Sequence, residues 1–455
     1  MVVVPGILGS RLAVDGHEVW GLSGAAIARG IMTLAGSVRR LAVPEDIGDE
    51  HPGDGVEPVG LVPDLHLLPM VGPAINGYSG LVGWLEREFT LTRAQHCGTG
   101  ETPNLVAFAY DWRLSIRYNA AELQRRVVPV LDAWRAAGHA DAQLVMICHS
   151  MGGLVARYFV ECLGGADVTR RVVTLGTPHR GSLDALLRLV NDTRYGIRPL
   201  RLELTAFARS LPSLHQLAPD YACIEHNGGL ARTDEVSLPG VDEKLLADGF
   251  ALRRQIADSA RQRGTSGHVT HPVVGVGQPT PATARIAANG LEPVDTIEGI
   301  DEGGDGRVPR FSARCDGMQD DDPAIQPHSE QHGSLQNNGA VRDALWYWLT
   351  SKRREYRASG NGVPLGLRIE EVLAAGQSCR IEVTAAPEYD ALSLRAVMVP
   401  LGAGQASQRS LANRGGGRYE TVFPPPRPCA YEVRIDDVSG RVLPVTAHVL
   451  VWGEV

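Results

Sequence analysis

Short apolar runs alternate with helical patterns over the first three quarters of the 455-residue chain. Residues 144–149 and 171–175 are typical of buried strands, whereas residues 120–137 and those from Met151 onward have the apolar spacing of helices. Strands that alternate with helices predict right-handed crossovers and a parallel sheet. We therefore expect an α/β fold with its functional side chains at the carboxyl ends of the strands.

The hydrophobic pattern changes after the Lys-Arg-Arg sequence at residues 352–354. Beyond it, short segments rich in apolar and β-branched side chains are separated by loops of Gly and Pro. These segments are residues 379–384, 393–399, 431–435 and 445–451. A region of about 95 residues with this pattern predicts a small β-sandwich.

Three segments of the first part fall outside this regular alternation of strands and helices. Residues 22–41 carry apolar side chains at steps of three to five, which predicts a helix that either packs on the protein's own core or acts as a lid in contact with lipid. Residues 42–80 are rich in Pro, Gly and Asp and predict loop, and residues 191–270 lack clear strands. We interpret segments at about 20–75 and 191–270 as cap or lid elements over the sheet.

The apolar run that begins at Leu144 ends in His149-Ser-Met-Gly-Gly153 and passes directly into a helical pattern. A strand, a sharp turn and a helix in this order form the nucleophile elbow of α/β-hydrolases, in which a strained corner presents a serine hydroxyl above the sheet edge. The elbow requires small residues on both sides of the serine. Gly152 meets this requirement on one side, and Cys148 replaces the usual glycine on the other. We predict that Ser150 is the nucleophile, the alternative being a turn with a capping serine.

A serine hydroxyl is a weak nucleophile, so it needs a general base and a carboxylate that orients this base. In α/β-hydrolases the chain order is serine, acid, histidine, and Asp305 and His332 follow Ser150 in that order. Asp305 lies in a loop flanked by glycines after a predicted strand, and His332 stands just before the last helix of this part of the chain. We predict that Ser150, Asp305 and His332 form a catalytic triad.

The acid and the base each have an alternative. Asp305 is also explained as a turn former, since Asp-Gly pairs favour turns, and Asp301 is a close neighbour. His328 lies four residues before His332 and is the alternative base. His149 precedes the predicted nucleophile on a strand and should point away from it, so we interpret His149 as a packing residue.

The chain opens with an apolar strand that ends in Pro5-Gly-Ile-Leu-Gly9. In α/β-hydrolases an early turn of this kind supplies one backbone N–H of the oxyanion hole, and the residue after the nucleophile supplies the other. We therefore expect the N–H groups of Ile7 and Met151 to form the hole, with Leu8 as a near alternative to Ile7. A plain turn after a core strand is the competing interpretation.

Seven motifs follow one another along about residues 1–350. They are Pro5-Gly-Ile-Leu-Gly-Ser10, Trp20-Gly21, Tyr110-Asp-Trp-Arg113, His149-Ser-Met-Gly-Gly153, Gly176-Thr-Pro-His-Arg-Gly-Ser182, Leu211-Pro-Ser213 and Gly304-Asp-Gly-Arg-Val-Pro309. In this order they resemble the lecithin:cholesterol acyltransferase (LCAT) family, which includes lysosomal phospholipase A2 and phospholipid:diacylglycerol acyltransferase. The set is far more specific than the serine motif alone.

The resemblance implies a serine acyl hydrolase or O-acyltransferase that takes an acyl group from a phospholipid or related lipid ester. Ser150 would carry the acyl group, Asp305 and His332 would complete the triad, and Ile7 and Met151 would form the oxyanion hole. Water or an alcohol would then receive the acyl group. The resemblance implies an α/β-hydrolase catalytic domain over residues 1–355, and the strand pattern beyond it predicts a β-sandwich-like accessory domain over residues 356–455.

Three features depart from the family pattern. Its secreted members carry a lid disulfide, whereas this chain has no cysteine before Cys97. Arg307 stands where a threonine or similar residue is commoner, and no secretory signal is recognised before the first strand. These departures concern the lid, the substrate and the compartment rather than the triad. The β-rich segment lies outside the resemblance, and we interpret it as a candidate binding site for a protein partner.

Two other functions are compatible with the sequence. A thioesterase, or a deacylase that removes a lipid anchor from protein or glycan, would use the same fold on a different ester. A binding protein would retain the hydrolase shell without catalysis and recruit a partner through its β-rich segment. The presence of a nucleophile, an acid and a base argues against this last interpretation.

Charge and composition exclude several further classes of protein. The net charge of −8 offers no basic excess for nucleic acid, and no run is long and apolar enough to span a bilayer. The seven cysteines are scattered and no His-Glu-x-x-His spacing occurs, so we expect no disulfide framework, no metal and no cofactor. We predict a cytoplasmic enzyme in a reducing compartment, with a lipid ester substrate at or near a membrane surface.

Overall fold

The fold is taken from a computed structural model of the chain. The structure describes residues 1–21, 41–44, 46–64, 77–96, 101–191, 200–264, 268–350, 363–401, 404–437 and 439–452. The helix predicted at 22–41 lies outside these residues except for its last position, and the predicted domain boundary at 355 lies outside them as well.

A six-stranded sheet forms the centre of the first part of the chain. Its strand order is β13-β10-β7-β6-β1-β5, and every neighbouring pair is parallel. The strands of this part are β1 (Val2–Val4), β2 (Ser10–Val14), β3 (His17–Trp20), β4 (Val56–Leu61), β5 (Val106–Ala107), β6 (Leu144–His149), β7 (Thr169–Leu175), β8 (Ile224–His226), β9 (Gly229–Ala231), β10 (Val269–Gly275), β11 (Thr283–Ala287), β12 (Gly290–Val294) and β13 (Gln326–His328).

Helices cover both faces of the central sheet because parallel strands need long crossovers. Val2 and Val4 point to one face, where they pack with the helices α2 and α3, and Val3 points to the other, where it packs with α1 and α8. The helices are α1 (Ser79–Glu88), α2 (Ile116–Ala136), α3 (Met151–Cys162), α4 (Leu183–Val190), α5 (Leu200–Ser210), α6 (Pro212–Gln216), α7 (Glu243–Arg263) and α8 (Gly339–Thr350). The predicted α/β fold with a mostly parallel sheet is therefore confirmed.

Some elements differ from the sequence prediction. Residues 191–270 contain two short strands, β8 and β9, which join a four-stranded sheet of order β12-β11-β8-β9. The sequence showed no strand there because three-residue strands are too short for a period-2 pattern to be recognised. Helix α2 begins at Ile116, earlier than predicted, because the Ser115 hydroxyl accepts a hydrogen bond from the N–H of Tyr118 and caps the helix.

The described residues from 363 to 452 form two facing sheets, as predicted. One has the order β14-β16-β20-β19 and the other β15-β22-β21-β17-β18. Alternate residues of β16 are buried, and Ile381 and Val383 share one apolar core with Val433 and Ile435 of the opposite sheet. The strands are β14 (Gly366–Ile369), β15 (Val372–Ala374), β16 (Cys379–Thr384), β17 (Leu394–Pro400), β18 (Ser407–Ser410), β19 (Ala412–Gly415), β20 (Arg418–Phe423), β21 (Cys429–Asp437) and β22 (Val445–Trp452).

None of the helices in the described ranges combines the length and the apolar composition that crossing a bilayer requires.

Gly152 allows helix α3 to lie directly against strand β1. A Cβ atom at this position would stand 2.3 Å from the carbonyl oxygen of Pro5 and 2.7 Å from that of Val4. Both obstacles are backbone atoms, so a side-chain rotation cannot relieve the contact. We predict that Gly152→Ala destabilises the fold by about 1–3 kcal/mol, measured as the shift of the urea unfolding midpoint.

Gly339, the first residue of α8, provides the matched control because a Cβ there has open space within 4 Å. Gly339→Ala should leave the midpoint unchanged or raise it slightly, since alanine has the higher helix propensity. Equal midpoints for the two variants would contradict the proposed contact between α3 and β1.

Glu330 is a buried carboxyl group between the central part and the β-sandwich. Burial raises its pKa from 4.5 to about 7, although Asn338, the Gln331 N–H and the Thr446 N–H donate hydrogen bonds to it. Between these pH values the folded chain retains a proton that the unfolded chain has lost. The stabilisation is therefore full below about pH 4.5 and disappears as the pH rises through about 7.

Glu330→Gln should remove this pH dependence. We predict that the free energy of unfolding of the variant, relative to the native chain, rises between pH 4.5 and pH 7 by an amount on the order of 2 kcal/mol. Urea titrations at several pH values measure the difference. Glu382→Gln, which removes an exposed carboxylate of the sandwich, is the control for loss of one charge. A pH-independent difference for Glu330→Gln would contradict the account.

Candidate active site

Ser150 lies at a strained corner between β6 and α3. Its backbone has φ 51° and ψ −126°, a conformation that non-glycine residues rarely adopt. The Ser150 N–H donates to the carbonyl of Leu175 at 2.8 Å, and the Thr177 hydroxyl donates to the Ser150 carbonyl at 2.9 Å. These two bonds hold the corner against the end of β7, which aims the serine hydroxyl out of the sheet.

Ser150, His332 and Asp305 form a continuous hydrogen-bonded chain. The Ser150 Oγ lies 2.9 Å from His332 Nε2, and His332 Nδ1 lies 2.7 Å from Asp305 Oδ2. Because a carboxylate only accepts hydrogen bonds, the proton of the neutral imidazole lies on Nδ1 and leaves Nε2 free to accept from the serine. The sequence placed these three residues in the required order, and the fold brings them into contact.

Hydrogen bonds to both carboxylate oxygens determine the orientation of the Asp305 side chain. Oδ1 accepts hydrogen bonds from the N–H groups of Arg307 and Val308, at 3.0 and 2.8 Å, which leaves Oδ2 for His332. The His332 N–H in turn donates to the Asp305 carbonyl at 2.7 Å. The Asp305 carboxylate thus forms the turn, as predicted, and also contacts His332.

Two glycines leave room for the acid and the base. A Cβ on Gly176, just after β7, would lie 2.7 Å from Asp305 Oδ2 and 3.1 Å from His332 Nδ1. A Cβ on Gly275, at the end of β10, would lie 2.2 Å from the Asp305 Cβ. The neighbouring strands β7 and β10 therefore have a glycine at, or directly after, their last residue, where the hydrogen-bonded pair packs against them.

The turn after β1 lies on the other side of the serine. Ile7 and Leu8 line the same pocket as Ser150, and Leu8 has a φ of 65°, which is unusual for a branched side chain. The N–H groups of Ile7 and Met151 have no hydrogen-bond partner among the described residues. The lack of a described partner is compatible with the predicted oxyanion hole, whose donors must be free to bind a ligand.

Several of the sequence motifs contain side chains that hydrogen-bond to the turn after β1 rather than to the triad residues. The Tyr110 hydroxyl donates to the Pro5 carbonyl at 2.9 Å, and the Trp20 Nε1–H donates to the Leu8 carbonyl at 3.2 Å. Trp112 packs edge-on against Trp20, with 4.8 Å between the ring centroids. Two motifs that are distant in sequence thus determine the conformation of one turn.

His149 has a role that the sequence interpretation missed. Its Nε2–H donates to the His332 carbonyl at 2.9 Å, so its Nδ1 accepts from the Tyr78 hydroxyl at 2.8 Å. The Tyr78 hydroxyl in turn accepts from the Gly6 N–H at 2.8 Å. Burial lowers the pKa of His149 to about 3, so it remains neutral near pH 7 and this pattern is preserved.

The bonds of His149 join the two sides of the site. They connect the backbone of the base, His332, through Tyr78 to the turn at Gly6. A sequence pattern gives no sign of this because Tyr78 is about 70 residues from both of its partners. The interpretation of His149 as a packing residue therefore missed the hydrogen bonds that its ring makes.

The pocket beside Ser150 is mainly apolar, with a charged side. The charged residues are Asp184, Arg188 and Arg307. A larger cavity, of about 570 Å³, lies along β4 and β5 and contains none of the three residues of the hydrogen-bonded chain. The apolar residues that line the pocket at Ser150 are Ile7, Leu8, Pro178, Ala185, Ala208, Leu211, Leu214, Leu217 and Val308.

The remaining candidates lie around the site without entering the hydrogen-bonded chain. His328 ends β13, and its buried Nε2 has no hydrogen-bond partner among the described residues. Asp301 accepts from the N–H of Gly303 in an exposed turn. His179 is buried against Arg157 and Cys315, and the Ser182 hydroxyl donates to the carbonyl of Arg307 at 2.6 Å.

No metal-binding site is found in the described ranges. They contain no group of three His, Cys, Asp or Glu side chains that could hold a metal ion. The six described cysteines are free, and burial raises the pKa of Cys148, the residue that replaces glycine before the serine. Cys148 is fully buried in β6 and therefore takes part in packing.

Comparison with known proteins shows a similarity to one family over the middle of this part. The sequence model of lecithin:cholesterol acyltransferase matches residues 90–238, a segment that contains Ser150 but neither Asp305 nor His332. Protein SERAC1 of Mus musculus is 29% identical over 118 residues, which is 24% of this chain and 18% of SERAC1. The chain therefore matches less than a fifth of that relative's length.

Two solved structures of the Bacillus licheniformis lipase BlEst2 also resemble the chain. The mature form is 14% identical, covers 52% of this chain and 75% of its own, and has a TM-score of 0.31. The propeptide form is 10% identical, covers 74% of this chain and 83% of its own, and has a TM-score of 0.32. The match over residues 90–238 confirms the resemblance to the LCAT family that the motifs predicted.

Proposed function

We propose that the chain is a lipid ester hydrolase or acyltransferase that works through an acyl-enzyme on Ser150. The observation that carries this proposal is the hydrogen-bonded chain from Ser150 through His332 to Asp305, beside a pocket with mainly apolar walls. The LCAT family match supports the lipid ester class. The serine mechanism rests on the geometry of Ser150, His332 and Asp305, and the phospholipid substrate rests on the resemblance to the LCAT family.

Acylation begins at the serine hydroxyl. As Ser150 Oγ attacks the carbonyl carbon of the ester, its proton passes to His332 Nε2, and Asp305 stabilises the imidazolium that forms. The tetrahedral intermediate then expels the alcohol, which takes the proton from His332. The ester acyl group is now bonded to Ser150, and the base has returned to its neutral form.

The carbonyl oxygen becomes negatively charged in this step and requires hydrogen-bond donors. The N–H groups of Ile7 and Met151 are the proposed donors, since both lie beside Ser150 without another described partner. Removal of one such donor typically reduces kcat by a factor of about 10²–10³. The strained backbone of Leu8 next to Ile7 is consistent with a turn kept in place for this purpose.

The apolar walls favour a fatty acyl chain. Leu211, Leu214 and Leu217 present aliphatic surface near the serine, and each methylene of an acyl chain transferred there from water contributes about 0.8 kcal/mol. Deacylation then uses water, giving a free acid, or an alcohol, giving a new ester. A thioesterase or a lipid-anchor deacylase would use the same residues, which makes substrate comparison the decisive experiment.

The two histidines before the last helix provide a direct test of the assignment. His332→Ala should reduce kcat on a p-nitrophenyl acyl ester by roughly 10⁴-fold or more, because the serine loses its base. His328→Ala, the matched control, should retain most of the activity. Rates are normalised to folded protein, measured by circular dichroism. Loss of activity in His328→Ala with retention in His332→Ala would contradict the assignment.

Products from mixed phospholipid vesicles test the substrate class. We expect lysophospholipid from the native chain, with the acyl group recovered as free fatty acid and, when a long-chain alcohol is added, partly as its ester. Mass spectrometry of the extracted lipids measures both products, and Ser150→Ala is the control for background hydrolysis. Intact vesicle lipids together with cleavage of an acyl thioester would instead favour the thioesterase.

A further inference from the structure

The segment that leads into the proposed base lies against the β-sandwich. Ser329, Glu330 and Gln331 precede His332 directly, and each of them has a hydrogen bond to the sandwich or to the segment that enters it. The Ser329 hydroxyl donates to the Leu365 carbonyl at 3.1 Å, and the Glu330 carboxyl accepts from the backbone of Thr446. We call residues 329–332 the base loop.

Gln331 makes the contact nearest to His332. Its Nε2 group donates to the Leu367 carbonyl of β14 and to the side-chain oxygen of Gln278, both at 3.0 Å. One amide group therefore bonds the residue next to the base to a strand of the sandwich and to a second loop of the central part. Neither bond involves a charged group, so salt should screen them little.

Gln278 connects the remaining partners and is almost fully buried, with 1% of its surface exposed. Its Oε1 accepts from the Leu367 N–H at 3.1 Å as well as from Gln331, and its Nε2 donates to the Leu365 carbonyl at 3.1 Å. Its backbone N–H donates to the Gly304 carbonyl at 3.1 Å, one residue before the proposed acid. Gln278 thus contacts β14, the base loop and the loop of Asp305 together.

The loop of Asp305 has a second contact with the sandwich. The guanidinium of Arg307 lies 3.7 Å from Glu371 of the sandwich and 3.7 Å from Asp184 at the pocket. The sandwich also approaches the loop of Gln278 closely, since a Cβ on Gly366 would stand 2.5 Å from the Gly277 carbonyl oxygen. The sandwich is therefore packed directly on both loops that carry the acid and the base.

We propose that the β-sandwich positions His332 and Asp305, with Gln331 and Gln278 as the positioning residues that transmit its contact. This inference rests on the proposed function, because it assumes that His332 acts as the base. It differs from a role of the sandwich in recruiting a partner, which would need no bonds to the base loop. Loss of these bonds would remove one of the restraints that hold His332 Nε2 2.9 Å from Ser150 Oγ.

We expect loss of the contacts of Gln331 and Gln278 to slow the chemical step. A displacement of about 1 Å in a reacting group can cost a factor of about 10² in rate, whereas the apolar pocket that binds the acyl chain contains neither glutamine. Loss of the contact should therefore lower kcat and leave KM little changed. A purely structural defect would instead lower the amount of active enzyme without changing kcat per active site.

The test uses two variants of Gln331 in the full chain. Gln331→Ala removes the amide, and Gln331→Glu retains the shape but places acceptor oxygens against the Leu367 carbonyl and Gln278 Oε1. We expect each to lower kcat on a p-nitrophenyl acyl ester by roughly 10- to 100-fold at constant KM, and to slow labelling of Ser150 by a fluorophosphonate by a similar factor. Rates are divided by the active-site concentration from the endpoint of that labelling.

Gln408→Ala is the matched control, since it removes an exposed glutamine from β18 of the same sandwich. It should retain the native kcat. Native kcat per active site in both Gln331 variants would overturn the proposal, and so would an equal loss in Gln408→Ala. Native activity of Ser150→Ala or His332→Ala would instead overturn the proposed function, so the two failures are distinguishable.

Discussion

The hydrogen bond between Asp305 and His332 Nδ1 is the interaction on which the rest of the site depends. It determines which nitrogen of the imidazole faces Ser150, and with it whether the serine has a base at all. The structure surrounds this bond with backbone donors to Asp305 and with space left by glycines. His149 binds the backbone of His332 from a third direction. The base is thus fixed by the turn, the sheet and the sandwich together.

This arrangement places the parts of the site on elements that are far apart in sequence. The turn after β1, the corner after β6 and the loops before β13 and α8 meet because parallel strands end at one edge of a sheet. Tyr78, Trp20 and Tyr110 then hold the turn through single hydrogen bonds to its backbone. Such contacts explain why aromatic motifs outside the pocket accompany the serine motif.

The sequence predicted the parallel sheet, the sandwich and the contact of Ser150 with His332 because each depends on local patterns or on chain order. It could not predict the roles of His149 or Gln331, since both depend on partners brought together only by the tertiary fold. The strands β8 and β9 were missed because three residues give no periodicity. The proposed domain boundary at 355 and the helix at 22–41 remain predictions, and so does the partner of the sandwich.

The central claim is that Ser150 is the nucleophile, and peptide mapping of a fluorophosphonate adduct tests it most directly. Fluorophosphonates bond covalently to an activated serine, so mass spectrometry of the digested adduct identifies the residue that reacted. The account predicts one modified site, at Ser150, and no adduct in Ser150→Ala. Modification of another serine, such as Ser182 at the same pocket, or undiminished labelling of Ser150→Ala, would contradict it.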